Sequence, residues 1–268
     1  MSVKKGINIL RHSFIFYLAG VLLLLGLKCY YRQADCDSLR WILTPTAGWV
    51  QLLSGIPFTY LPGVGYVNHD LRLLIAPSCS GVRFMTILFA TLVFSFVHVI
   101  AAPEAHSASE AASDDRNSRH GIIKGSCWIA ASGILSWLFT VFVNGLRIIA
   151  AIYLPIYLEE AGLMRDIDIL TPDRLHTVIG VVIYFIALLT IYRLAEWSVQ
   201  RKTGAALLSD LLRKWAPPVF WYFALTLGLP LLHGFGQAQS GEFAVLVIGC
   251  CSLILLPYLT VLFLRRKK

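Results

Sequence analysis

Charge is what this chain has least of. Of its 268 residues, 14% are Asp, Glu, Lys or Arg, where a soluble domain carries about a quarter. The acidic sign is the scarcer, with 15 residues against 23 basic ones. So little charge cannot cover a globular surface in water, which excludes an ordinary soluble domain. Several chemical signatures are missing as well. There is no CxxC or HExxH spacing, and the seven histidines are scattered, so no metal site is predicted. No glycine-rich phosphate loop, no GxSxG elbow and no internal repeat occur, and no cofactor is implied.

What the chain does have is apolar length: 57% of its residues are hydrophobic and its mean hydropathy is +0.70. A helix needs roughly 20 apolar residues to cross a hydrocarbon core of about 30 Å. Six stretches qualify, near 13–31, 80–102, 122–143, 175–195, 217–234 and 243–264. Lipid offers backbone groups no partners, so each must be helical. The fold class predicted is an all-α integral membrane protein with about six to eight transmembrane helices. Outer re-entrant or interfacial segments complete it.

Orientation follows from where Lys and Arg lie. With the N-terminus inside, segments 1–12, 103–124, 193–214 and 265–268 are internal. They hold 15 of the 23 basic residues but six of the 15 acidic ones, a net +9 inside against −1 outside. Both termini are therefore expected to be cytoplasmic. The net charge of +8 is then a record of topology and implies no nucleic-acid partner. The N-terminal "FIFYLAGVLLLLGL" follows a basic start, as in a signal peptide, but "KCYYRQ" offers no small-residue cleavage site, so it is expected to be retained.

Between the spans, "APEAHSASEAASDDRNSRH" reads as a flexible inner loop. "WILTPTAGWVQLLSGI" is too short to cross and contains Pro45 and Gly48, so it reads as re-entrant or interfacial. The following "PFTYLPGVGYVNHDLRLLIAP" reads as two short strands about Pro62–Gly65. "NGLRIIAAIYLPIYLEE" is expected to lie along or dip into the outer leaflet, ending at Pro155 and Glu159–Glu160.

The chemistry concentrates in three places. In "IAPSCSGVRF", Pro77 disfavours helix at Ala76 and Ser78 suits the N-cap of the span that follows. Cys79 would then occupy the first helical turn, with Arg83 one turn on along the same face and Gly81 leaving open space beside the sulfur. A helix N-terminus and a nearby cation both favour thiolate. The alternative is an inert small residue like Cys127, Cys250 or Cys251. In "FVNGLRIIA", Arg147 is a guanidinium at the outer end of a span, where charge is costly and functional unless it snorkels to the interface. Asn144, three residues earlier, shares its face and would orient it. In "DRLHTVIGVVIYF", His176 opens the next span, with Gly180 a turn below giving room for close packing. Its alternative is an interfacial histidine. Under the charge-derived topology all three side chains fall at the outer ends of different helices and can meet at one depth. A protonated His176 would favour a thiolate further.

These three motifs, in Cys–Arg–His order, resemble those of the exosortase/archaeosortase family of multi-span cysteine peptidases, and within it the exosortase K subtype. The resemblance covers about residues 40–195. It implies a chain arranged as 1–39, an N-terminal anchor helix and outer loop; 40–195, a catalytic core; and 196–268, a C-terminal two-helix extension. It also implies Cys79 as nucleophile, His176 as base and acid, and Arg147 as stabiliser of the tetrahedral intermediate, with Ser78, Gly81, Arg83 and Asn144 in support. The partners implied are membrane-tethered proteins whose C-terminal sorting signal is a short motif, a hydrophobic helix and a basic tail; the best-known motif begins Pro-Glu-Pro. Water would make the enzyme a protease and an amine acceptor a transpeptidase, a choice left open, as is the oligomeric state. The competing readings are a transporter or channel, and an export scaffold with Cys79 idle. Against the first, the charged residues cluster at span ends. His69 is the other outer candidate for a base, and His98, near the inner end, reads as structural. Cys29 and Cys36, both outside, could pair in an oxidising compartment. Tyr30, Tyr31, Trp41, Trp49 and Tyr66 read as interface anchors.

Overall fold

The computed structural model of the chain describes residues 3–101, 114–162, 171–199, 207–228 and 238–266. Its elements run α1 (Val3–Gln33), α2 (Arg40–Ser54), β1 (Thr59–Leu61), β2 (Gly65–Asn68), β3 (Leu73–Ile75), a 3-10 turn (Pro77–Cys79), α3 (Val82–Ile100), α4 (Asp114–Glu160), α5 (Pro172–Val199), α6 (Leu207–Phe223) continued by a π-helical turn (Ala224–Gly228), and α7 (Ala238–Arg266). Four segments are helical, long and apolar enough to span a membrane: Phe14–Gln33, Pro77–Ile100, His120–Glu160 and Arg174–Val199. In the first, 11% of the most apolar stretch is buried against protein, so Leu18, Leu22 and Leu25 present bare hydrocarbon that only lipid suits. The chain is a helical membrane protein. Of the two remaining predicted spans, 243–264 lies within α7, and 217–234 runs past Gly228 beyond the described residues.

Two expectations need correction. Residues 114–120 of the predicted inner loop are helical, and Pro155 sits inside α4 instead of ending it. Pro155 ends no helix because the missing N–H costs one bond, which 41 continuous helical residues from His120 to Glu160 outweigh. At 1.5 Å per residue that stretch is about 60 Å long, twice a hydrocarbon core.

The chain forms two compact units. One comprises Met1–Asp35, Val82–Thr140 and Ile191–Trp221, the other Cys36–Gly81, Val141–Thr190 and Tyr222–Lys268. In the first, Phe16 of α1 packs against Phe89, Val93 and Val97 of α3 and Ala101 just beyond it. Tyr17 stacks on Phe94 at 5.9 Å, and the Trp128 indole donates to the Leu92 carbonyl at 3.2 Å. Lipid tails are as apolar as leucine, so such fitted contacts and buried hydrogen bonds carry the association.

The second unit holds every sequence-predicted site residue except Arg83. Ile42, Leu43, Ala47 and Val50 give α2 one buried face at helical spacing. The expected hairpin is present, pairing Leu61 with Gly65 across the predicted turn, but β3 adds a third antiparallel strand in the order β1-β2-β3. Tyr66 of the central strand donates to Thr44 of α2 at 2.7 Å, and Asn68 to the Pro57 carbonyl at 2.7 Å. Gly65 is required: its φ is +129°, and a Cβ there would lie 2.5 Å from the Ile75 carbonyl oxygen and 3.3 Å from the Cys36 sulfur. Cys29 and Cys36 are free thiols; Cys36 is buried and donates to the Val64 carbonyl at 3.0 Å. On β1 the Tyr60 hydroxyl donates to Asp37, which pushes its pKa up to about 12.

Candidate active site

The sheet delivers Cys79. From Ile75 the backbone stays extended through Ala76 (φ −91°, ψ 173°), as a residue before proline prefers. The chain then closes one 3-10 turn, with Cys79 N–H on the Ala76 carbonyl at 2.8 Å and Ser80 N–H on the Pro77 carbonyl at 3.1 Å. Gly81 follows at φ +74°, and α3 begins only at Val82. This corrects the sequence reading. Ser78 is an exposed residue inside the 3-10 turn, not the N-cap of α3, and Cys79 precedes the helix instead of occupying its first turn. The left-handed glycine breaks helical continuity, so the one-turn relation between Cys79 and Arg83 does not exist; Arg83 is exposed and belongs to the other unit. Gly81 therefore serves the turn, where an L side chain would be strained by roughly 1–2 kcal/mol. Cys79 itself is a half-buried free thiol.

Arg147 and His176 do meet. Arg147 Nη2 lies 2.5 Å from His176 Nε2. Arg147 is 8% exposed, whereas His176 is open to the surface. A guanidinium can only donate, so Nε2 must accept and the imidazole proton must sit on Nδ1. Such a bond needs a neutral imidazole. Gly180, one turn along α5, makes the approach possible: a Cβ there would stand 3.2 Å from Arg147 Nε. Nε itself is buried and has no hydrogen-bond partner among the described residues.

Asn144 does not orient Arg147. It is fully buried, and its Nδ2 donates to the Cys79 carbonyl at 2.5 Å. Its Oδ1 accepts from the Tyr184 hydroxyl at 2.7 Å. The acceptor-only carbonyl of Cys79 fixes which way round the amide stands. Tyr184, which sequence reading did not single out, also places its ring 5.6 Å from the Arg147 guanidinium carbon, within cation–π range. The signal was present as spacing: His176, Gly180 and Tyr184 recur every four residues along one face of α5. His69, the alternative base, lies exposed in the turn between β2 and β3, and no hydrogen bond joins it to Cys79 among the described residues.

Within one unit, then, the structure joins the backbone of Cys79 to Asn144 and Tyr184, and Arg147 to His176 and Tyr184. A thiol, an imidazole and a guanidinium are groups that acyl transfer through sulfur can use as nucleophile, base and oxyanion donor. No group of three or more His, Cys, Asp or Glu side chains that could hold a metal occurs among the described residues. No protein-family model, curated protein or solved structure matches this chain.

Proposed function

We propose that this chain is a membrane-embedded cysteine peptidase or transpeptidase of the exosortase/archaeosortase kind. It acts on membrane-tethered proteins bearing a motif, a helix and a basic tail, at the outer face of a bacterial inner membrane. The observation carrying this reading is the 2.5 Å contact of Arg147 with His176 from the same unit that ties Cys79 to Asn144. Three sequence motifs separated by tens of residues supply those groups, the Arg147, His176 and Asn144 side chains and the Cys79 carbonyl, and a passive membrane bundle has no need to bring them together.

The chemistry runs as follows. Arg147 first leaves His176 Nε2, which frees that nitrogen to take the Cys79 proton. The thiolate sulfur then attacks a peptide carbonyl carbon, whose oxygen becomes an oxyanion that the Arg147 guanidinium holds. Collapse breaks the C–N bond, His176 protonates the departing amine, and the substrate's helix and tail leave. The thioester on Cys79 then passes its acyl group to water, giving a carboxylic acid, or to an amine, giving a new amide. The test is co-expression with a reporter carrying motif, helix and basic tail. Cys79→Ala should abolish its processing while the variant inserts at the wild-type level; continued processing would overturn the proposal.

A further inference from the structure

One residue that the sequence reading did not single out touches both halves of the site. The Tyr184 hydroxyl reaches the Cys79 turn through Asn144, in bonds of 2.7 and 2.5 Å. Its ring lies under Arg147 at 5.6 Å, and Arg147 in turn holds His176 at 2.5 Å. The relay is directional. The Cys79 carbonyl accepts only, so Asn144 must present Nδ2 to it and Oδ1 to Tyr184, which must donate. Asn144 is fully buried, so losing either bond strands a polar group of its amide. The 3-10 turn is a single turn between an edge strand and the left-handed Gly81, and the Asn144 amide holds its Cys79 carbonyl.

We infer that Tyr184 is a positioning residue of this site, setting the Cys79 turn and the Arg147–His176 pair in one register. The inference rests on the peptidase reading, and its test needs no substrate. The readout is the rate of iodoacetamide alkylation of Cys79 at pH 7, followed by peptide-resolved mass spectrometry on the full chain in detergent. Arg147→Gln frees His176 Nε2 to take the thiol proton, so alkylation should rise by about fivefold or more. The rise should vanish in Arg147→Gln/His176→Ala. In a Tyr184→Phe background, which keeps the ring and loses the hydroxyl, Arg147→Gln should change the rate by less than about twofold, because the turn is no longer held in register. Asn144→Leu should uncouple the two to the same degree, and combining it with Tyr184→Phe should add nothing further. A structural tyrosine would alter yield or thermal stability, which gel filtration and melting report, and would leave this coupling intact. An equal response to Arg147→Gln in both backgrounds overturns the inference and leaves the peptidase reading standing. No response to Arg147→Gln or His176→Ala in the wild-type background overturns both.

Discussion

At position 180 of α5 a hydrogen stands where other residues carry a side chain, and the stem of Arg147 fills the space. A methyl group there would sit 3.2 Å from Arg147 Nε, tighter than carbon and nitrogen normally approach. Alanine also favours the helix over glycine by about 1 kcal/mol. Gly180→Ala should therefore leave thermal stability unchanged or slightly raised while displacing the guanidinium from His176. Reporter processing should fall by at least about tenfold, since small misplacements of catalytic groups are costly. Unchanged processing would mean that this contact does not serve the reaction. At this scale the sequence was informative where a residue type is expensive in its setting. Arg147 stood out because a cation at a span end needs a reason, and His176 because it opens an apolar run. Asn144 was identified but given the wrong partner. Its partner is a backbone carbonyl 65 residues away, and nothing in local spacing points to one. Tyr184 looked like one more aromatic of a membrane helix.

Among the elements, the three-stranded sheet and the 3-10 turn decide where the thiol stands. β3 went unseen because "LLIAP" merges with the apolar run that follows, and its short alternation is lost there. The N-cap expected at Ser78 failed for a related reason: an N-cap pattern cannot report that Gly81 will take φ +74° and postpone the helix to Val82. The hairpin before it was legible, since proline and glycine mark its turn. Sheet and site are coupled through Gly65, where β2 passes the Ile75 carbonyl and the Cys36 sulfur. Gly65→Ala adds a Cβ 2.5 Å from that carbonyl at φ +129°, a strain of about 1–3 kcal/mol. The expected outcome is a lowered melting temperature together with faster alkylation of Cys36, which is 2% exposed in the intact fold. Protection of Cys36 equal to wild type would mean that the sheet absorbs the change without opening.

For the whole molecule, the helical membrane class was written in composition: so few charges and such long apolar runs admit little else. The span count was less legible, because α4 joins in one helix what hydropathy divides at Asn144, and length alone does not reveal a helix that outruns the bilayer. The sidedness that the peptidase proposal needs rests on the Lys and Arg bias. It predicts that a membrane-impermeant thiol reagent added to intact spheroplasts labels Cys79 and spares Cys250 and Cys251. Labelling of Cys79 only after the inner face is opened would reverse the orientation. The most direct measurement asks whether the Cys79 sulfur carries the substrate's acyl group. Wild-type protein co-expressed with the motif–helix–tail reporter is digested at mildly acidic pH, where thioesters persist, and the peptide containing Cys79 is weighed by mass spectrometry. The predicted result is that peptide joined to the reporter's cleaved end, an adduct released by neutral hydroxylamine and lost in Cys79→Ala. Efficient processing with no adduct on Cys79, or processing that survives Cys79→Ala, would contradict a thioester route.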